Sequence, residues 1–219
     1  MFKFSPAVSV KWTGIQPKID PLIFKDPLAA KIDWNPVTRN KGANFASHQL
    51  KKFSPDMMKF VPTWTTYILS STLIVFGFGA MMIMYYTAKW ILPPWLIALA
   101  TVLVGCFALY RMTIPIVFDK TKGIFLKGRR QPAELNNLVH RKKSAKLDDV
   151  RALQILARQV MDYDSETRMN RSYMTYELNL VLEDTNRVNV VTIGNITKLR
   201  EDAELLSAFL EKPVWDATI

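Results

Sequence analysis

The stretch VPTWTTYILSSTLIVFGFGAMMIMYYTAKWILPPWLIALATVLVGCFALYR, residues 61–111, decides the architecture. Before Arg111 closes it, Lys89 is its one Asp, Glu, Lys, Arg or His. A helix needs about 20 apolar residues to cross a bilayer. The run up to Ala88 exceeds that length and predicts a first transmembrane helix over 64–88. The uncharged run after Lys89 predicts a second over 92–112, with Pro93 and Pro94 in its first turn, where a proline N–H is not needed. Trp64, Tyr85, Tyr86, Trp90, Trp95 and Tyr110 cluster at the expected ends, as amphipathic rings do at headgroup level. The competing reading is a buried helical hairpin in a soluble protein.

Two features of the hairpin bear on function. Ala98, Thr101, Gly105 and Ala108 share one face of the second helix, and Gly77 and Ala80 could supply the facing surface on the first. Small side chains let helix backbones approach closely, either within the hairpin or between copies of the chain. No Asp, Glu, Arg or His lies mid-span, so the groups that mark an ion or proton pathway are missing, which argues against a transporter or pump.

Charge orients the hairpin. The chain has 219 residues and a net charge of +10. Residues 1–63 carry ten Lys/Arg against four Asp/Glu, residues 111–219 carry eighteen against fifteen, and the connection holds only Lys89. Basic residues stay on the cytoplasmic side, so both termini are expected there. In such a chain the positive excess points to orientation and anionic lipid, and no nucleic-acid partner is expected. The start, MFKFSPAVSVKWTG, lacks the apolar core and small-residue site of a cleavable signal, so the mature chain is expected to begin at or near Met1. Cys106 lies inside the apolar run, so no intramolecular disulfide or cysteine metal site is available.

Three segments follow: a cytoplasmic arm (1–63), the hairpin (64–112) and a cytoplasmic domain (113–219). Seven prolines break the arm, which is expected to be extended or loop-like. Its aromatic content exceeds that of a solvated linker, so Trp12, Trp34 and Phe45 are candidate anchors on the C-terminal domain, the membrane surface or a partner. Downstream, IPIVF–DKTKG–IFLKG predicts a hairpin turning at Gly123, with Pro115 at an edge or strand start. VRALQILARQVM fits helical and strand periods poorly and is read as a strand. YMTYELNLVLED alternates with Tyr176, Leu178, Leu180 and Leu182 on one side, and RVNVVTIG completes a second hairpin. In ITKLREDAELLSAFL, Leu199, Ala203, Leu206 and Leu210 form one stripe of an amphipathic helix, capped by Asn195 or Thr197. The fold class is therefore a membrane α-helical hairpin plus an α+β domain, an antiparallel sheet with a C-terminal amphipathic helix.

That order is similar to pleckstrin-homology-like (PH-like) domains, in which a bent antiparallel sheet is closed by a C-terminal helix. GANFASHQL, PIVFDKTKGIFLKGRR, LDDVRALQIL, YELNLVLED, RVNVV and LREDAELLSAFLEKPVWDA resemble a group of uncharacterised bacterial two-span membrane proteins with such a module. The resemblance covers most of the chain and implies an inner-membrane location. It brings no activity with it.

Chemistry is sparse. His48 and His140 are separated by the membrane hairpin, and neither sits in a cluster with metal-ligand spacing. No phosphate loop or nucleophile elbow is present. The acids of LEDTNR and LREDAE read as solvated surface, and Asp148, Asp149 and Glu177 could group only if the sheet brought them together. No catalytic residue, metal or cofactor is expected. The concentrated feature is basic: nine Lys/Arg against one acid between Lys120 and Lys146, with Lys127, Arg129, Arg130, Arg141, Lys142 and Lys143 as candidate lipid- or phosphate-binding residues. Near a membrane surface each contributes about 1 kcal/mol towards anionic lipid. The expected function is non-enzymatic: a membrane-anchored module binding a protein partner or a second copy of itself, with an accessory or immunity protein of a secretion or toxin system as the specific version. The alternatives are an anionic-lipid-binding membrane organiser and an enzyme acting on lipid or envelope precursors.

Overall fold

A computed structural model describes residues 20–38, 47–87, 92–129, 143–164 and 169–218. The chain forms two compact units, Ala46–Asp148 and a split unit that joins Met1–Phe45 to Asp149–Ile219.

In the 46–148 unit, β1 (His48–Ser54) and β2 (Met57–Pro62) form an antiparallel hairpin. One residue, Thr63, separates β2 from α1 (Trp64–Thr87), and the chain returns through α2 (Leu92–Met112). It then forms β3 (Ile116–Asp119), β4 (Ile124–Lys127) and β5 (Ser144–Lys146). All five strands make one antiparallel sheet in sequence order. Strand β2 pairs with β3, so the helix pair is a long insertion between neighbouring strands. Both helices are long and apolar enough to cross a membrane and are mostly exposed along their length, unlike the core helices of a soluble protein. One sheet face carries the core: Phe60, Phe118 and Phe125 are buried, with the last two ring centroids 4.8 Å apart. Gly123 turns between β3 and β4 at φ +63°, a conformation that disfavours a side chain.

In the split unit, β6 (Val150–Asp164) and β7 (Met169–Leu182) form a long antiparallel pair. Strand β8 (Arg187–Ile193) extends it beside β7, and β9 (Val214–Asp216) pairs in parallel with β6. Helix α3 (Ile196–Leu210) lies against β6, β7 and β9. The Asn195 side chain caps it by accepting the Lys198 N–H at 3.0 Å, and all four residues of the expected stripe are buried. Alternation puts Leu153, Ile155, Leu178 and Leu180 on one face of the sheet, all buried.

The other face is covered in part by the arm. A 3-10 turn, Pro21–Phe24, is capped by Asp20 and leads into residues 25–38. Ala29 and Ile32 are buried in a cluster with Ala152, Val181 and Trp215, with Phe24, Leu28 and Trp34 packed against it.

The largely antiparallel sheets and C-terminal helix make the chain α+β, and the hairpin turns, the β6 strand and α3 are where the sequence pattern placed them. Two expectations change. The arm is not loop throughout, because residues 48–62 are β1 and β2; their partner, β3, comes only after the helix pair, so no local signal marks the pairing. Residues 113–219 do not form one unit, because β3–β5 pair with β2 whereas β6 pairs with β7 and β9. Pro115 immediately precedes β3, an inner strand, and so takes the strand-start place of the two expected for it.

Candidate functional site

Register sets the geometry of the basic residues. Phe60, Ile116 and Lys127 are aligned across β2, β3 and β4, and Leu126 is aligned with Ser144 of β5. That end of the sheet is where β2 runs into α1 and where α2 runs into β3. Lys127, Arg129 and Lys143 therefore lie at the end from which both apolar helices emerge. The Lys127 N–H donates to the Lys143 carbonyl at 2.7 Å, tying the two basic positions together.

Arg129 fastens this end to the helix. Its Nη2 donates to the Tyr110 carbonyl and to Thr113 Oγ1, each at 2.8 Å, and its guanidinium lies 4.0 Å from the Tyr110 ring centroid. A cation on the last carbonyls of a helix satisfies orphan acceptors and opposes the negative end of the helix dipole. His48 is at the same end. Burial lowers its pKa and the Lys127 charge adds to that, against a hydrogen bond to the Met112 backbone. Arg130, Arg141 and Lys142 lie outside the described residues.

The charge is unevenly divided. Residues 46–148 hold fourteen Lys/Arg against four Asp/Glu, and the split unit holds fifteen against fifteen. The whole net charge of +10 thus belongs to the unit that carries the apolar helices.

The helix pair explains its small residues. A Cβ on Gly77 would fall 2.6 Å from Val102 Cγ2 and 3.1 Å from the Ala98 carbonyl, and one on Gly105 would fall 2.7 Å from Ile74 Cγ1. Glycine at both positions allows the close approach of α1 and α2. Ala98 is buried, Ala80 and Ala108 are half-buried, and the Thr101 hydroxyl donates to the Ile97 carbonyl of its own helix.

The split unit holds polar groups that sequence reasoning missed. On the arm-covered face, Gln154 and Glu177 are fully buried and Arg158 is 4% exposed. Glu177 Oε2 accepts the Val37 N–H at 2.8 Å, and Oε1 accepts the Thr38 N–H at 3.3 Å and the Thr38 hydroxyl. Arg158 Nη1 donates to the Thr38 carbonyl at 2.8 Å, Arg187 Nη1 to the Asn35 carbonyl at 2.8 Å, and Gln154 Nε2 to the Asp33 carbonyl at 3.5 Å. Arg187 also pairs with Asp33 at 3.1 Å. Burial lowers the pKa of Arg158 and of Arg187, and nearby acids, Glu177 for both, counter it. A polar residue in an alternating strand usually marks the solvent face, so only the arm's return to this sheet shows that these are buried.

Trp34 packs within the chain, stacked on Phe24 at 5.2 Å and 6.3 Å from Trp215, with its Nε1 donating to the Ala29 carbonyl. Trp12 and Phe45 lie outside the described residues. Glu177 opposes Leu156 on β6, seven residues along the chain from Asp149, so the sheet does not group these acids. Within LREDAE the expectation of solvated acids fails for Asp202, which is fully buried and paired with Lys198 at 3.2 Å; Glu201 and Glu204 are exposed. Burial would lower the Lys198 pKa, but Asp202 and Glu201 outweigh it and raise it. Among the described residues no three His, Cys, Asp or Glu side chains come together to hold a metal. No family model matches the chain, and no curated protein matches it.

Proposed function

We propose that this chain is a non-enzymatic protein of the bacterial inner membrane, anchored by α1 and α2, with both termini in the cytoplasm. It presents a PH-like binding module for protein–protein interaction within a membrane assembly, and its 46–148 unit rests on anionic headgroups. The carrying observation is the coincidence at one sheet end of Lys127, Arg129 and Lys143 with the exits of both apolar helices. A cation there would sit at headgroup depth, where anionic lipid attracts it. Within the split unit, antiparallel β6, β7 and β8 followed by a capped, amphipathic helix support the PH-like reading.

Reporter fusions at Met1 and Ile219 should both report the cytoplasm; an external signal from either would overturn the topology. For the lipid contact, the full chain is reconstituted with phosphatidylglycerol and phosphatidylcholine, and retained lipid is counted by native mass spectrometry. Lys127→Glu, Arg129→Glu and Lys143→Glu together should abolish the preference for phosphatidylglycerol. Lys51→Glu with Lys52→Glu, three and four residues along β1 from the helix end, or about 10 Å or more, should leave it intact. Equal effects of the two sets would reduce the basic end to a topology signal.

A further inference from the structure

The sheet end that meets the helices holds a titratable group besides its lysines and arginines. His48, half-buried at the start of β1, is fixed from two sides. Its neighbour Ser47 is pinned to the start of α1, where its carbonyl accepts the Thr63 N–H and the hydroxyl of the fully buried Thr66, each at 3.0 Å. The imidazole itself bonds to the Met112 backbone at the C-terminal end of α2, and its Nδ1 lies 3.0 Å from Ser47 Oγ. His48 thus ties β1 to both apolar helices.

These bonds fit the charged ring as well as the neutral one. The bond to Met112 favours the charged form, so the imidazole donates it and the carbonyl accepts. A neutral ring then has one nitrogen left to accept, and it takes the Ser47 hydroxyl hydrogen. On protonation Nδ1 becomes a donor, and the hydroxyl needs only to turn and accept. The end of a helix also favours a cation. What opposes the proton is burial and the charge of Lys127 on β4.

Among the described residues no acid stands at this end to offset Lys127. Asp56 and Asp119 lie in or beside the turns at the other end of the sheet, and Asp148 follows β5 there. From β2 and α1 the ring's surroundings are Pro62 and Thr66, which carry no charge. The remaining charged groups at this end, Arg111 of α2, Arg129 and Lys143, are cations. An anion that approaches these side chains therefore supplies the charge that His48 lacks.

We propose that His48 is the proton switch of the lipid contact: an anionic headgroup on Lys127 relieves the repulsion, His48 takes a proton from water, and the site holds anionic lipid more tightly as pH falls. The inference rests on the reading that Lys127, Arg129 and Lys143 meet anionic headgroups. Linkage fixes the sign. A phosphate that favours the charged ring is favoured by it to the same factor, so affinity climbs as pH drops through the His48 titration.

Two measurements on the full chain test it. In the first, retention of phosphatidylglycerol over phosphatidylcholine is followed from about pH 8 to about pH 5. It should rise about fivefold or more, and His48→Gln should leave it flat. A preference that ignores pH, or that changes equally in His48→Gln, overturns the switch and leaves the lipid contact standing; no preference at any pH removes both. In the second, His140→Gln leaves His48 as the one histidine, and its ring is titrated by NMR in bilayers of each lipid. The midpoint should lie below the ordinary value of about 6.5 in phosphatidylcholine and higher in phosphatidylglycerol. Lys127→Met should raise the first midpoint and close most of the gap. A gap of unchanged size in Lys127→Met would come from the surface potential of the bilayer and overturn the coupling through Lys127.

Discussion

The two units differ in net charge and in where their charged side chains lie. The 46–148 unit carries the entire net positive charge and leaves Lys51, Lys52, Lys120, Lys122, Lys143 and Lys146 exposed. The split unit is balanced in formal charge and puts Arg158, Glu177 and Asp202 inside. An exposed cation gains little from the fold and acts on what lies outside it. A buried ion is costly unless its partners are built in, and so it specifies an internal arrangement. The proposed lipid contact draws on the first property, and the docking of residues 33–38 on the second.

The strongest way to break that picture is to put an unpaired charge where the split unit has none. Leu206→Asp places a carboxylate at the centre of the buried α3 stripe and should cost about 4 kcal/mol or more, unfolding the unit. Glu204→Ala, on the exposed side, should stay within about 0.5 kcal/mol. Equal melting temperatures of the two variants would remove the proposed packing of helix on sheet.

Next in size is the buried carboxylate. Glu177→Ala strands the Val37 and Thr38 N–H groups and takes an acid from beside Arg158, a loss of about 2–3 kcal/mol. Glu183→Ala, at an exposed acid, should change chemical denaturation little. If both shift the midpoint equally, the polar face is not an internal lock.

The helix pair gives a test in the other unit. Gly105→Val meets Ile74 at both side chain and backbone, so it should push the helices apart at about 1–3 kcal/mol. Gly79→Ala meets nothing within 4 Å and should be neutral or slightly stabilising, by about 0.5 kcal/mol. Thermal unfolding in micelles separates the two; identical curves would mean that α1 and α2 do not touch at Gly105.

The smallest effect is on pH dependence. The lowered pKa of His48 means the unfolded chain binds its proton more tightly than the folded one. The stability of the 46–148 unit is then whole above the unfolded value of about 6.5 and declines as pH falls through the lower folded value. His48→Gln should flatten that decline; an unchanged slope would place the titration elsewhere.

Much of this was written locally. Residues 61–111 determine two helices of spanning length, because an uncharged run needs no tertiary information to be recognised. The β3–β4 and β7–β8 hairpins and α3 follow from turn residues, alternation and a helical stripe, which act within a few residues of one another. The sequence also bounds the candidate site, since Lys127, Arg129 and Lys143 stand in one basic cluster.

Tertiary structure alone decided what depends on distant pairing. Strand β2 meets β3 across the helix pair, β9 is a three-residue strand beside β6, and the chain divides between β5 and β6. None of these leaves a local pattern. Glu177 falls opposite the apolar side of an alternating strand until residues 33–38 return to cover it, and Trp34 reads as an anchor with three possible surfaces until Phe24 and Trp215 receive it. Periodicity says which face a side chain joins, whereas only long-range contact says what lies on that face.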